Sequence, residues 1–357
     1  MNQTNQQAHE SITAFPYPQA RLFLIEAVQR WLPSEQREFA ERIVDLHLDP
    51  ENFAMPIKVN KKELVDALSN NKDLDNLRNC ITFEDTKDIP GIARVMIRTH
   101  LNRQGIGFVT RGAKSKTLTE RVMGVFPVGM NPEEYLSWQA LTARWLDFAE
   151  TCRQNGVLDD DGNPLFDDDE LSSLRIISQV GEHEYERIKS NPQIHNNWAK
   201  LFMGVYSGFK YLEKNYDLDA NRIWLHIDEA SRTPSGVYTL VKHASKCIHE
   251  FGSTLAGSFF ADLGAAQFIK DDIHVIDSIA AFSGLSTNQV RGEFSFNVMH
   301  HSAQVHNVTP RAIDKVMYLA GSGVLYLFDF KLDKRQQAKE KSTFLNFLHG
   351  QNPGSVT

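Results

Sequence analysis

The sequence predicts an all-α fold of two helical lobes. Three observations lead there. Almost every periodic stretch repeats its apolar residues at intervals of three and four, and the alternation expected of strands is scarce. Positions 132–152 carry Tyr135, Trp138, Leu141, Trp145 and Phe148 at helical spacing, a stripe that reads as core. Finally, 237–285 holds two helical faces separated by a glycine, which puts a helix–turn–helix near the junction of the lobes.

The chain has 357 residues, 41% of them hydrophobic, enough to bury the core of two or three subdomains. No segment approaches the roughly 18 consecutive apolar residues of a membrane span, so no membrane partner is expected. The polar start, MNQTNQQAHESITAF, lacks the basic-then-apolar order of a signal peptide, and 1–15 reads as a disordered lead-in. Cys80, Cys152 and Cys247 are scattered, with no C-x-x-C. That pattern suggests a reducing, cytoplasmic setting and neither a disulfide framework nor a zinc site. A net charge of -7 counts against indiscriminate coating of nucleic acid, although local fields still decide binding.

Arg21 to Trp31 is an amphipathic helix stopped by Pro33, and Ser34 is a candidate cap for the next, through Phe39, Ile43, Val44 and Leu46. Lys61 to Leu68 makes a third. Positions 69–88 are polar and turn-rich, so 16–89 forms an N-terminal helical region with a boundary near Pro90. The core then runs over 90–330.

Gly91 to Val125 is basic, with Arg94, Arg98, Arg103, Arg111, Lys114, Lys116 and Arg121 against Glu120 alone. Glycines interleave with these charges, and two readings stand side by side. The segment is either a solvated loop or a place where Arg103, Arg111, Lys114 and Lys116 meet phosphates. Neither G-x-x-x-x-G-K-[ST] nor G-x-G-x-x-G is present, which argues against nucleotide-driven chemistry. LDDDGNPLFDDDE at 158–170 imitates a calcium loop, but Pro164 stands where the turn needs glycine. Helices continue over 171–216, and NRIWLHI at 221–227 leads into the central stretch.

In that stretch Val237, Leu240, Val241, Ala244, Ile248 and Phe251 share one helical face. Gly252 interrupts it, and Leu255, Phe259 and Leu263 begin a second. The turn between them spans about three residues. Gly264 ends the second helix. A short connection reaches Lys270-Asp271-Asp272-Ile273-His274-Val275, and a third helix follows with Ile276, Ile279 and Ala280 inward. Gln289 to Val305 forms another helix. His300, His301 and His306 lie in or beside it without an H-E-x-x-H arrangement, so no metal is expected. Thr309-Pro310 opens a capped helix with Ile313, Val316, Met317 and Ala320 inward, closed by Gly321-Ser322-Gly323. The tail, 331–357, is basic, and Lys331 to Lys341 reads as frayed.

The order hairpin, glycine, short loop and D-x-H-V opening a helix resembles the helix-hairpin-helix DNA glycosylase superfamily, over 237–285 only. The resemblance implies a DNA partner, a monomer, no cofactor, and Asp272 as the catalytic carboxylate, with Asp271 next if the register slips. It also implies that backbone amides around Gly252, Ser253 and Thr254 hold a DNA phosphate. Where the family reads L-P-G-x-G, this chain has Glu250-Phe251-Gly252-Ser253-Thr254, with one glycine and no proline. Ser253 and Thr254 stand where bifunctional members carry a lysine. Lys242 and Lys246, on the preceding helix, resemble the arrangement of an archaeal oxoguanine glycosylase branch and are the candidate lysine nucleophiles. TPRAIDKVMYLAGSG is similar to the last helix of some glycosylase-like proteins, including a helical domain attached to phage enzymes that modify thymine.

The chemistry fits that implication. Cleaving an N-glycosidic bond builds positive charge on the sugar, which one carboxylate can stabilise while it orients a water. The bland alternative for Asp272 is a helix N-cap. For Lys242, Lys246 and His249 it is a solvated helix face. For Trp224 and Tyr238, candidate walls for a base taken out of the stack, it is core. The resulting expectation is a monofunctional glycosylase for a damaged or modified base. A modified phage base would make it a defence enzyme. The alternatives are a phage-type enzyme or accessory domain acting on modified pyrimidines, and a non-catalytic hairpin protein that binds DNA.

Overall fold

The computed structural model describes residues 13–101 and 197–352, with positions 182, 185, 186, 189 and 190 between them. The fold is mostly helical with a few short strands. The chain divides into two compact units. One comprises Met1–Glu84, His226–Val241 and Phe260–Thr357, and the other Asp85–Leu225 and Lys242–Phe259. The chain leaves the first unit after Glu84 and returns to it at His226 and again at Phe260.

The first unit begins with α1 (Tyr17–Trp31), a 3-10 turn (Ser34–Phe39) and α2 (Ala40–Leu48). Next come β1 (Pro56–Val59), α3 (Lys61–Ser69), α4 (Leu74–Arg78) and β2 (Ile81–Phe83). β1 and β2 pair antiparallel, with Val59 opposite Ile81. Both strands and α4 are too short for their periods to register in the sequence, where this region reads as helix and turns.

The second unit contains α5 (Ile89–Leu101) and α6 (Asn197–Tyr216). These two pack closely because Gly204 and Gly208 of α6 present no side chain to α5; a Cβ on either would collide with His100 or Met96. Val205, Phe209 and Leu212 of α6 are buried, as their spacing predicts. Then α7 (Ala220–Ala230), α8 (Pro234–Cys247) and α9 (Ser253–Asp262) each contribute residues to both units.

The first unit resumes with α10 (Ile273–Ser283), α11 (Thr287–Val290), α12 (Glu293–His306), α13 (Pro310–Ser322), β3 (Val324–Leu325), β4 (Phe330–Lys331) and α14 (Lys334–Gly350). β3 and β4 form a two-residue antiparallel pair. At its centre is α13, packed by α1, α2, α10, α12 and α14. Thr309 caps its start by accepting from the Ala312 amide at 3.2 Å, and Gly323 at φ 62° ends it in the left-handed region. From Pro310 to Gly323 every residue is buried except Tyr318, which is half-buried.

Two terminal expectations are corrected. Phe15, assigned above to a disordered lead-in, is fully buried with its ring edge-on to Phe282 at 6.0 Å. Its amide donates to Ser302 Oγ at 2.8 Å, and His306 Nε2 donates to its carbonyl at 2.7 Å. The tail is not frayed over 334–350 but forms α14, which a capping box of Asp333 and Gln336 starts. Phe344 and Leu348 anchor α14 in the core, an i,i+4 pair that composition outweighed in the sequence reading.

Candidate functional site

Each unit holds part of the residue set singled out in the sequence. In the first unit Asp272 is the N-cap of α10. Its Oδ1 accepts from the His274 amide at 2.8 Å and the Val275 amide at 3.2 Å. Its Oδ2 lies 3.8 Å from Lys270 Nζ, and the side chain keeps 13% of its surface exposed. Asp271, the neighbour in register, is 3% exposed. As the N-cap, Asp272 satisfies two of the first amides of α10, which have no partner within the helix.

The loop that delivers Asp272 is fastened along its length. Gly264 opens it at φ 105°, a conformation that favours glycine. The Phe268 ring packs on Phe260 at 4.9 Å. The backbone N–H of Arg311 donates to Ala266 O at 3.1 Å, and the Lys270 amide donates to Asp314 Oδ2 at 3.1 Å. The Asp272 amide then closes onto Lys270 O at 2.7 Å.

Beneath the loop lies a polar stripe on α13, buried at 311, 314 and 315 and half-buried at 318. The Arg311 guanidinium bridges two carboxylates, donating to Asp314 and to Asp262 Oδ1, the latter at 3.0 Å. Burial alone would lower the Arg311 pKa, but Asp314 and Asp262 outweigh it and hold the group charged. Burial pushes the Asp314 carboxyl up, with Arg311 opposing. Among the described residues Lys315 makes no carboxylate pair; its Nζ donates to Tyr326 Oη at 2.6 Å. Burial, reinforced by Arg311, brings Lys315 down to about 7.

Around this floor Lys270 Nζ sits 5.6 Å from the centroid of the Tyr318 ring, and His274 meets the same ring edge-on at 5.7 Å. Burial raises Tyr318 to about 12 and lowers His274. Gly321 lets α13 approach α10, since a Cβ there would stand 2.6 Å from His274 Nδ1. On the far side His47 is edge-on to Tyr326 at 4.8 Å, and burial lowers its pKa to about 3.

Sequence reading missed Arg311, Asp314, Lys315 and Tyr318. It assigned the inward face of α13 to Ile313, Val316, Met317 and Ala320, and those four are buried. The residues between them formed an ordinary polar face by periodicity. Only the burial of the helix on all sides turns that face into an ion-pair network.

Tyr238 also belongs to the first unit. It is half-buried, packs on Phe296 at 5.5 Å, and has its hydroxyl close to Gly292.

In the second unit the hairpin turn spans 248–252, longer than the expected three residues, because α8 ends at Cys247. Glu250, at φ 65°, makes the reversal, and Gly252 has no positive φ. The turn is seated on α6, where the His249 amide donates to Ser207 Oγ at 2.7 Å, and on α5, where the His100 ring lies 4.2 Å from that of Phe251. Gly252 is exposed, and among the described residues a Cβ built on it meets no atom within 4 Å. Ser253 and Thr254 follow at the start of α9. Lys242 and Lys246 are both exposed on α8, the arrangement of a solvated face. Trp224 is half-buried and donates its indole N–H to Thr86 O at 2.8 Å, as a core-anchored ring does. Arg103, Arg111, Lys114 and Lys116 lie outside the described residues.

Among the described residues no group of three or more His, Cys, Asp or Glu could hold a metal ion. No helix among them is long and apolar enough to cross a membrane. Comparison with protein-family models, curated proteins and solved structures finds no match.

Proposed function

We propose that this protein is a DNA N-glycosylase that removes a damaged or modified base by water attack assisted by Asp272. One observation carries the reading. A carboxylate stands at a helix N-terminus directly after a helix, turn, helix and glycine-opened loop, with one oxygen held by two amides and the other beside Lys270. The held oxygen fixes the direction of the group. The second can face a sugar that becomes positive as the base departs. The start of α9, with Gly252 exposed and Ser253 and Thr254 half-buried, supplies amides to a backbone phosphate in this reading. Arg103, Arg111, Lys114 and Lys116 add charge that does not depend on sequence.

Water is the favoured nucleophile. A lysine nucleophile needs its amine kept neutral by burial or by a neighbouring cation, and Lys242 and Lys246 are exposed. Borohydride should therefore trap no adduct through either lysine.

One observation favours a second reading, a non-catalytic DNA-binding protein: capping α10 already gives Asp272 a sufficient structural role. Incubation with a panel of genomic DNAs, modified phage DNA included, separates the two. The glycosylase reading expects free base and abasic sites. Binding without base release supports the non-catalytic protein, and a mass change on modified bases with no abasic site supports an enzyme acting on modified pyrimidines.

A further inference from the structure

The geometry points to Asp314, held by Arg311, as the positioning residue for the Asp272 carboxylate; this inference rests on the role given to Asp272 above. Asp314 is buried in the central helix of its unit and touches the loop at one backbone atom. Its Oδ2 accepts from the Lys270 amide at 3.1 Å, two residues before Asp272. That same oxygen accepts from Arg311, whose other arm reaches Asp262 Oδ1 at 3.0 Å at the end of α9. Arg311 also fastens the loop through its own backbone, donating to Ala266 O at 3.1 Å. Both ends of the loop, the close of α9 and the approach to α10, thus hang on one guanidinium–carboxylate pair.

A loop could be held by apolar packing alone, and Phe268 and Ile269, both fully buried, already supply that. Packing sets depth but leaves rotation about the last few residues free. A buried acceptor for the Lys270 amide removes that freedom. The register in which Asp272 meets the amides of His274 and Val275 then follows. Misplacing a catalytic group by about 1 Å can cost on the order of 100-fold in rate. A charged pair is a costly way to hold a loop unless the orientation matters, since buried pairs add little net stability over apolar residues of similar size.

The test is the double variant Arg311→Met, Asp314→Leu in the full chain. It removes both charges of the buried pair together; Asp262, the other carboxylate on Arg311, keeps 16% of its side chain exposed to water, and the loop keeps its apolar contacts. Amide exchange and base release are both measured. The Lys270, His274 and Val275 amides should lose protection, and the turnover rate should fall about tenfold or more while DNA affinity stays within about twofold. Arg311→Lys, which keeps a cation beside Asp314, should restore part of that rate. A folded double variant that keeps His274 and Val275 protected, or that exposes them and still turns over at the wild-type rate, overturns the inference. If the double variant fails to fold, Asp314→Asn takes its place with the same two readouts and a smaller effect in the same direction. If wild type releases no base, the glycosylase reading fails by itself, and the exchange data still decide whether Asp314 positions Asp272.

Discussion

Asp272 and the hairpin turn at 248–252 are held by different means. Asp272 hangs from a buried polar lattice in which Arg311, Asp314 and Asp262 fix one another. The turn rests on a hydroxyl, Ser207, and a ring contact between Phe251 and His100, and its glycine faces open space. In the lattice each group is both partner and support, so single changes disturb function and fold together. At the turn a side chain can be added without meeting any of the described residues. The carboxylate side is therefore tested through paired or isosteric substitutions, and the turn can be tested with single ones.

The largest expected effect tests the lattice. Arg311→Ala leaves Asp314 buried and without its counter-ion, and should destabilise the fold by about 3–5 kcal/mol, read as a lower urea midpoint. The Arg311→Met, Asp314→Leu variant should lose much less. Equal losses would mean that the pair contributes ordinary packing and that the lattice account is wrong.

An intermediate effect concerns pH. His47 is buried neutral, with Nδ1 2.7 Å from Ile43 O and a folded pKa of about 3 against 6.5 unfolded. Between those values the unfolded chain binds more protons, so stability falls as pH drops from about 6.5 towards 3. Lys315 acts in a higher window with the same sign: its pKa is lowered from 10.5 to about 7, so stability rises as pH climbs from about 7 to 10.5. Urea midpoints across pH 4–7 should slope less in His47→Leu than in wild type. An unchanged slope would remove His47 from the acid limb.

The smallest effect on stability belongs to the turn. Glu250 carries the left-handed conformation of the turn, and among the described residues nothing crowds a Cβ at Gly252. Gly252→Val should change stability by less than about 0.5 kcal/mol. DNA affinity should still fall across sequences, because the added side chain stands where a phosphate would approach. Normal binding by a stable variant would remove the hairpin from the DNA-contact surface.

The helical class was legible because long helices repeat their apolar residues many times. The caps at Thr309 and Asp272 are local and leave a local signature; the Asp333 capping box is equally local but was outweighed by the basic composition around it. The strands at 56–59 and 81–83 were not legible, since three or four residues cannot display a period of two against background. Asp272 stood out because its role depends on near neighbours in sequence. Arg311 and Asp314 did not, because their meaning depends on Asp262 and Lys270, 49 and 44 residues away respectively. No pattern along α13 distinguishes a polar face turned to solvent from one enclosed by five other helices.

The most direct test of the account is base release by wild type and Asp272→Asn, measured on the same DNA panel. Asparagine keeps the shape and an acceptor for the amides of His274 and Val275, so the fold should survive. It removes the negative charge that would face the sugar and the base that would orient the water. The account predicts that wild type releases base and that Asp272→Asn does so at least about 100-fold more slowly. DNA affinity should be equal or higher, since a carboxylate repels phosphates. Base release at the wild-type rate by Asp272→Asn would contradict it.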